Sequence, residues 1–224
     1  MTMTLAPELA ALDHRFDIAT RDVTVAGHAW RLDSPRDFDD LISEADYVKD
    51  ERLPYWADLW GASSVLAAEV CTLDGAGQAA IELGCGLGLP SLAAALAGYD
   101  VTATDYYEDA TLFARRNAVI NLGRDIGGRH LDWSALPDDL PRFDLVLAAD
   151  VLYEPRYSAL VSNAVIRSLA PGGMALVADP GRIALEGFRD ACRALGATVT
   201  TRRVVPHEDG PSRHTVTIHE VRLG

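Results

Sequence analysis

Hydrophobic and polar positions change their period repeatedly along this chain. From residue 79 onward, short apolar runs alternate with longer stretches in which apolar residues recur every three or four positions. The runs "AAIELG" (79–84), "DVTATD" (100–105), "GRHLDW" (128–133), "FDLVLAAD" (143–150) and "MALVADPG" (174–181) read as strands. The unbroken apolar character of the first and fourth belongs inside a parallel sheet, where both faces are covered. Between them lie helical stretches: 90–98, with Pro90 in its first turn and Gly98 as its C-cap, then 108–123, 156–173 ending at a Pro-Gly-Gly turn, and 184–196. Two strand-like segments, 197–205 and 214–223, follow with no helix between them. This order predicts an α/β fold, a Rossmann-like doubly wound sheet that is mostly parallel with an antiparallel edge at its C-terminal end.

Upstream, the texture differs. "DVTVAGHAWRL" (22–32) alternates as a hairpin turning at Gly27, "FDDLISEADYVKD" (38–50) has the composition of a short helix, and "LWGASSVLAAEVCTL" (59–73) reads as a helix ended by "DGAG". The expected division is a small β/α N-terminal extension over 1–53, shaping the substrate side rather than folding alone, and one domain over 54–224.

Composition narrows the classes. The chain has 224 residues, 49% of them hydrophobic, enough for one core, and no apolar run long enough to span a bilayer. No secretory leader is legible at its start. Cys71, Cys85 and Cys192 are sparse, odd in number and far apart, which fits a reducing cytoplasm and not a disulfide framework. Thirty-three acidic against 20 basic residues give a formal charge of −13, which argues against nucleic acid as a partner and otherwise serves solubility.

The candidate chemistry centres on "ELGCGLG". A strand, a glycine turn and a helix make a ligand cradle at the carboxyl end of a parallel sheet, with helix-start amides facing the ligand. Asp105 ends the next strand, where an acid can accept both hydroxyl hydrogens of a ribose, and Asp132-Trp133 end the third, bordering the expected place of an adenine. The rival for each acid is a helix cap. Leu89 stands where a dinucleotide fingerprint needs its third glycine, and no lysine follows as in a phosphate-binding loop. No G-x-S-x-G or H-E-x-x-H occurs, and His214 and His219, five apart on a strand, face opposite sides, so no metal site is expected. Cys85, inside the turn, reads as a buried filler.

The pattern E-x-G-x-G-x-G resembles the S-adenosylmethionine turn of class I methyltransferases, whose sheet has seven strands with the last antiparallel. With "PYWADLWGASSVLAAEV", "LDWSALP" and D-x-x-Y in "AADVLYEP", residues 54–196 are similar to the seven-strand protein-lysine methyltransferases called family 16. The resemblance implies a cofactor, S-adenosylmethionine, leaving as S-adenosylhomocysteine. It implies that Trp60, Glu82, Gly84, Gly86, Gly88, Asp105, Asp132, Trp133 and Ala149 hold it. It implies that Asp150 and Tyr153 line the catalytic channel, Asp150 orienting the acceptor amine and drawing in its cationic form. Tyr153 and Trp56 offer aromatic faces to a methylated cation. The expected function is an N-methyltransferase acting on lysine of a protein, monomeric and cytoplasmic, without membrane or nucleic-acid partners. The alternatives are a small amine or nicotinamide-like acceptor and, more remotely, a nicotinamide-dependent oxidoreductase.

Overall fold

The apolar runs become the middle of a sheet. In the computed structural model, which describes residues 5–37, 41, 53–209 and 212–224, β3 (Ala79–Leu83), β4 (Asp100–Asp105) and β6 (Phe143–Ala149) lie side by side in parallel. β5 (Gly127–His130) adds outside β4, and β7 (Leu169–Asp179) outside β6. Successive strand residues point to opposite faces, so each strand feeds two cores. Leu145, Leu147 and Ala149 of β6 pack with residues of α3 (Gly61–Val70), α4 (Leu89–Leu96) and α5 (Glu108–Leu122). Val146 and Ala148 pack on the other side with α6 (Tyr157–Ser168) and α7 (Leu185–Ala194). Two buried faces explain why β3 and β6 carry apolar residues on both sides rather than alternating.

The antiparallel C-terminal strand forms as expected. The order across the seven-stranded sheet is β5-β4-β3-β6-β7-β9-β8, so β9 (Ser212–Leu223) sits between β7 and β8 (Ala197–Asp209). It runs antiparallel to both. The apolar content of the two strands decides the placement: Val216, Ile218 and Val221 of β9 are fully buried, whereas β8 carries Arg202 and Arg203 and leaves Val204 57% exposed. The strand with more to bury takes the inner position.

One expectation is corrected, the helix end at the Pro-Gly-Gly of 171–173. The helix stops earlier, at Ser168, and Leu169 already pairs with Phe143. The register then shifts before Leu145 meets Met174, so the proline and glycines form an irregularity at the start of β7. Gly173 is needed there: a Cβ on it would lie 2.9 Å from the carbonyl oxygen of Asp144.

The hairpin forms as read, β1 (Ile18–Val25) and β2 (His28–Pro35) joined by Ala26 and Gly27, both left-handed at φ 51° and 79°. It is preceded by two single-turn helices, α1 (Pro7–Ala10) and α2 (Leu12–Arg15). Val25, Trp30 and Leu32 join the main core. Asn117 of α5 binds β2 through both its atoms, accepting from Asp33 N (2.8 Å) and donating to Asp33 O (3.1 Å), and it also donates to Leu87 O (3.0 Å). Arg116 Nε reaches the buried Asp33 carboxylate at 2.9 Å. Leu87 belongs to the glycine turn, so one asparagine joins the N-terminal hairpin to the ligand cradle. The helix expected within 38–50 lies, apart from residue 41, outside the described residues.

Candidate functional site

A cleft enclosing about 1000 Å³, part of it open to solvent, lies at the carboxyl ends of β3, β4, β5 and β6, where doubly wound sheets bind ligands. Its floor is the turn after β3. Gly84, Gly86 and Gly88 all have left-handed backbones, at φ 71°, 49° and 81°. Protein as well as ligand presses on them. A Cβ on Gly84 would lie 3.1 Å from Val151 Cγ1 and 3.3 Å from the Trp133 ring, one on Gly86 3.0 Å from Trp56 O, and one on Gly88 2.6 Å from Ala114 Cβ. Glycine is therefore required by conformation and by close packing together. Gly88 caps α4, and Leu92 N donates to its carbonyl oxygen.

Asp105 binds this turn to the next one. Its Oδ2 accepts from Gly86 N (3.0 Å) and its Oδ1 from Tyr107 N (3.1 Å). Burial pushes its carboxyl above the usual range, against the pull of those amides. Asp132 accepts from the amide and hydroxyl of Ser134 and caps a 3-10 turn, yet it also lines the cleft. Trp133 stands edge-on to Tyr157 at 5.6 Å, and its Nε1 is buried without a hydrogen-bond partner among the described residues. Ala149 and Leu131 complete that wall.

Glu82 is not part of the lining. It is 1% exposed, beneath the turn, where it accepts from Ser91 N (2.9 Å) and the Ser91 hydroxyl. Its role in these contacts is to hold the start of α4. Burial, the largest cause, raises its carboxyl from 4.5 to about 8. The folded protein then keeps a proton between those values that the unfolded chain has released, so stability falls as pH rises from about 4.5 to about 8. This single group contributes at most about 4–5 kcal/mol across that window. Asp105 and Asp179 are shifted in the same direction. Glu82→Gln is therefore expected to flatten, but not abolish, the fall in urea midpoint between pH 5 and 8; a slope equal to that of the unaltered protein would contradict a proton on Glu82.

The mouth is aromatic. Tyr55 meets Trp60 at 5.9 Å and Tyr153 at 5.6 Å, and Tyr153 meets Tyr157 at 4.9 Å, all edge-to-face. Trp60 Nε1 donates to Tyr55 O at 2.9 Å. Burial, first among the causes, raises the Tyr153 hydroxyl above the usual tyrosine range, so it stays protonated. Trp56 also lines the cleft but is only 8% exposed, with its ring against Tyr107 (6.5 Å) and Phe113 (5.7 Å). The segment joining Trp56 to Trp60 is a 3-10 turn followed by extended chain, not helix. The Cys85 thiol is pushed well above its ordinary value by burial, which makes it a poor nucleophile.

Asp150, at the end of β6, has φ 60°, a rare backbone for a side chain other than glycine. Its amide donates to Ala178 O at 2.9 Å. Its carboxylate is gripped by Arg182, Nε to Oδ1 at 2.6 Å and Nη2 to Oδ2 at 3.1 Å. Sequence reasoning missed this arginine. It lies just beyond β7 in "DPGR", where Asp179 Oδ1 accepts from both Gly181 N and Arg182 N at 2.7 Å. An acid ending a third apolar strand, followed by Pro-Gly, was a signal that this loop also turns toward the cleft. The guanidinium also lies over the Trp60 ring, 5.7 Å from its centroid. The Asp150 charge, expected to draw in a cationic acceptor, thus already faces a resident cation.

Residues 57–178 match the profile of a family described as "Lysine methyltransferase". A Danio rerio protein named protein N-lysine methyltransferase METTL21A is 38% identical over 122 residues, covering 50% of this chain and 56% of that protein. A Dictyostelium discoideum protein named histidine protein methyltransferase 1 homolog is 30% identical over 112 residues, covering 48% of this chain and 36% of its own. The chain thus aligns with about half, or less, of the length of these curated relatives. Among solved structures, the magnesium protoporphyrin IX methyltransferase of Synechocystis PCC 6803, crystallised with bound SAM, shares the fold at 18% identity, with a TM-score of 0.60 over 83% of this chain and 94% of that one.

Proposed function

Since the chain belongs to the lysine methyltransferase family, we propose that it transfers a methyl group from S-adenosylmethionine to a lysine side chain of a protein. The observation that carries this reading is the cleft itself: a glycine cradle at one end, an aromatic mouth at the other, and the Asp150 carboxylate between them.

The cofactor fits the residues present. Three left-handed glycines keep side chains off the cradle, the Asp105 carboxylate lines the cleft beside the turn amides it accepts from, and Trp133 holds a buried indole N–H that still needs an acceptor. When bound, the cofactor supplies an electrophilic methyl on a sulfonium. Asp105 would accept the ribose hydroxyls, Leu131, Trp133 and Ala149 would border the base, and Gly84, Gly86 and Gly88 would floor the site. Trp60, Tyr55 and Tyr153 would exclude water from the slot and flank the acceptor. An amine there must give up its proton, against a free-lysine pKa of about 10.4. Desolvation by the aromatic mouth lowers that value, and Asp150 accepts an N–H and so aims the lone pair.

A second reading, transfer to a histidine nitrogen, is favoured by the Dictyostelium relative. Both readings are tested by calorimetry with S-adenosylmethionine and S-adenosylhomocysteine, followed by incubation of labelled cofactor with a protein extract of the expression host. Micromolar binding of both nucleosides and label on lysine of a protein band are expected. Label on histidine selects the second reading; label in small molecules alone, or no uptake of either nucleoside, overturns both.

A further inference from the structure

We propose that Arg182 is a positioning residue that neutralises and aims the Asp150 carboxylate, so that the cleft offers the acceptor a hydrogen-bond acceptor without net negative charge. The inference rests on the reading that the cleft holds a sulfonium cofactor.

Three elements meet at this pair. Asp150 comes from the end of β6 on a left-handed backbone, Arg182 from the loop after β7, and Trp60 from the segment before α3. The Asp150 side chain is 6% exposed and lines the cleft, while Arg182, 36% exposed, grips it from outside the lining. The loop is itself clamped. Asp179 holds the amides of Gly181 and Arg182, and Ala184 N donates to Leu152 O at 3.2 Å. A planar fork on both oxygens fixes the plane of the carboxylate, which a lysine's point charge does not do. Each oxygen keeps a lone pair for a further donor.

The charge matters because two cations are expected in this cleft. A bare carboxylate stabilises an ammonium and so opposes its deprotonation. It also holds the sulfonium of the cofactor more tightly than the neutral thioether of the product. Pairing with Arg182 removes both effects and leaves the directional hydrogen bond. The charged and titratable groups around the pair do not substitute for the arginine. Asp179 and Tyr55 lie beside it; Tyr153, Tyr157, Asp105 and Glu154 lie around the cleft, and Glu154 is already paired with Arg156 at 2.8 Å.

The test compares affinities for S-adenosylmethionine and S-adenosylhomocysteine by calorimetry. In Arg182→Gln the preference for the sulfonium is expected to rise about fivefold, the effect of one unmatched charge several ångströms away in a partly solvated cleft. It returns to the starting ratio in Asp150→Asn/Arg182→Gln. Arg182→Lys, which keeps the charge but not the fork, stays near the starting ratio. Should Arg182→Gln not fold, Asp150→Asn alone serves from the other side, since an unmatched Arg182 lowers the same ratio. In the labelling assay, the rising limb of the pH–rate profile of Arg182→Gln moves about one unit higher, because the ammonium is held longer. An unchanged ratio, or an unmoved limb, with both nucleosides still bound overturns the role of Arg182 and leaves the methyltransferase reading standing. Failure of the unaltered protein to bind either nucleoside overturns that reading and this inference with it.

Discussion

Asp150→Asn is expected to lower methyl transfer by about 100-fold, the cost of losing alignment at the reacting atoms. It should change affinity for S-adenosylhomocysteine by less than about threefold, because no nucleoside-holding contact is removed. Asparagine suits this test better than alanine. It has nearly the same shape and tolerates the left-handed backbone that residue 150 adopts at φ 60°. The fold should therefore survive, and the loss falls on chemistry. The amide presents one oxygen and an NH2 group in place of two oxygens, so the Arg182 fork cannot close on both atoms. Arg182 is left charged beside the cleft, and binding of the sulfonium cofactor should weaken more than binding of its product. Single-turnover labelling measures the first effect and paired calorimetry the second. Retention of more than a tenth of the transfer rate would show that Asp150 does not align the acceptor.

The second large effect is on stability. Gly88→Ala is expected to cost about 3 kcal/mol, the sum of roughly 1 kcal/mol for a side chain in the left-handed region and about 2 kcal/mol for overpacking. The added methyl would stand 2.6 Å from Ala114 Cβ and 2.9 Å from Ala114 Cα. The second of these belongs to the backbone of α5, which cannot step aside like the end of a flexible side chain. Relief requires moving α4 and α5 apart, and that tilts the floor of the cleft. Gly27→Ala is the internal control: its φ is 79°, but nothing lies within 4 Å, so only the backbone cost of about 1 kcal/mol applies. Urea midpoints of the two variants should differ by the packing contribution. Equal losses would show that the Gly88–Ala114 contact relaxes freely.

What could be read from the sequence was what local period and turn chemistry carry. The apolar runs gave β3 and β6 because burial on both faces leaves little room for polar residues. Ala26-Gly27 closed the first hairpin because its backbone accepts two left-handed residues. The cradle after β3 was legible from three alternating glycines, though the reason for them was only half visible. Ligand approach was expected; the pressure of Trp133, Trp56 and Ala114 on the same atoms was not, since these residues come from remote parts of the chain. The same limit hid Arg182, 32 residues from its partner, and the Asn117 link between hairpin and cradle. The resemblance implied that Glu82 holds the cofactor; what local pattern did not show is that its side chain turns under α4 to Ser91. The Pro-Gly-Gly at 171–173 misled because that sequence usually terminates an element, whereas here Leu169 is already held in the sheet and the glycines absorb a register shift. Strand order beyond β7 depends on which of two strands has more apolar surface to hide, a comparison between segments that no local period contains.

The interleaving of β8 and β9 has a consequence for how the chain is made. In the finished sheet β8 forms ladder hydrogen bonds with β9 and, among the described residues, with no other strand. A ribosome delivers β8 first, at a moment when its partner β9 has not been synthesised and the rim of β7 stands open. Synthesis must run on through Ser212–Leu223 before that rim can be closed. Until then the nascent molecule presents a bare strand edge, ready to pair with a neighbour's chain, and this interval is the one in which a chaperone has something to protect.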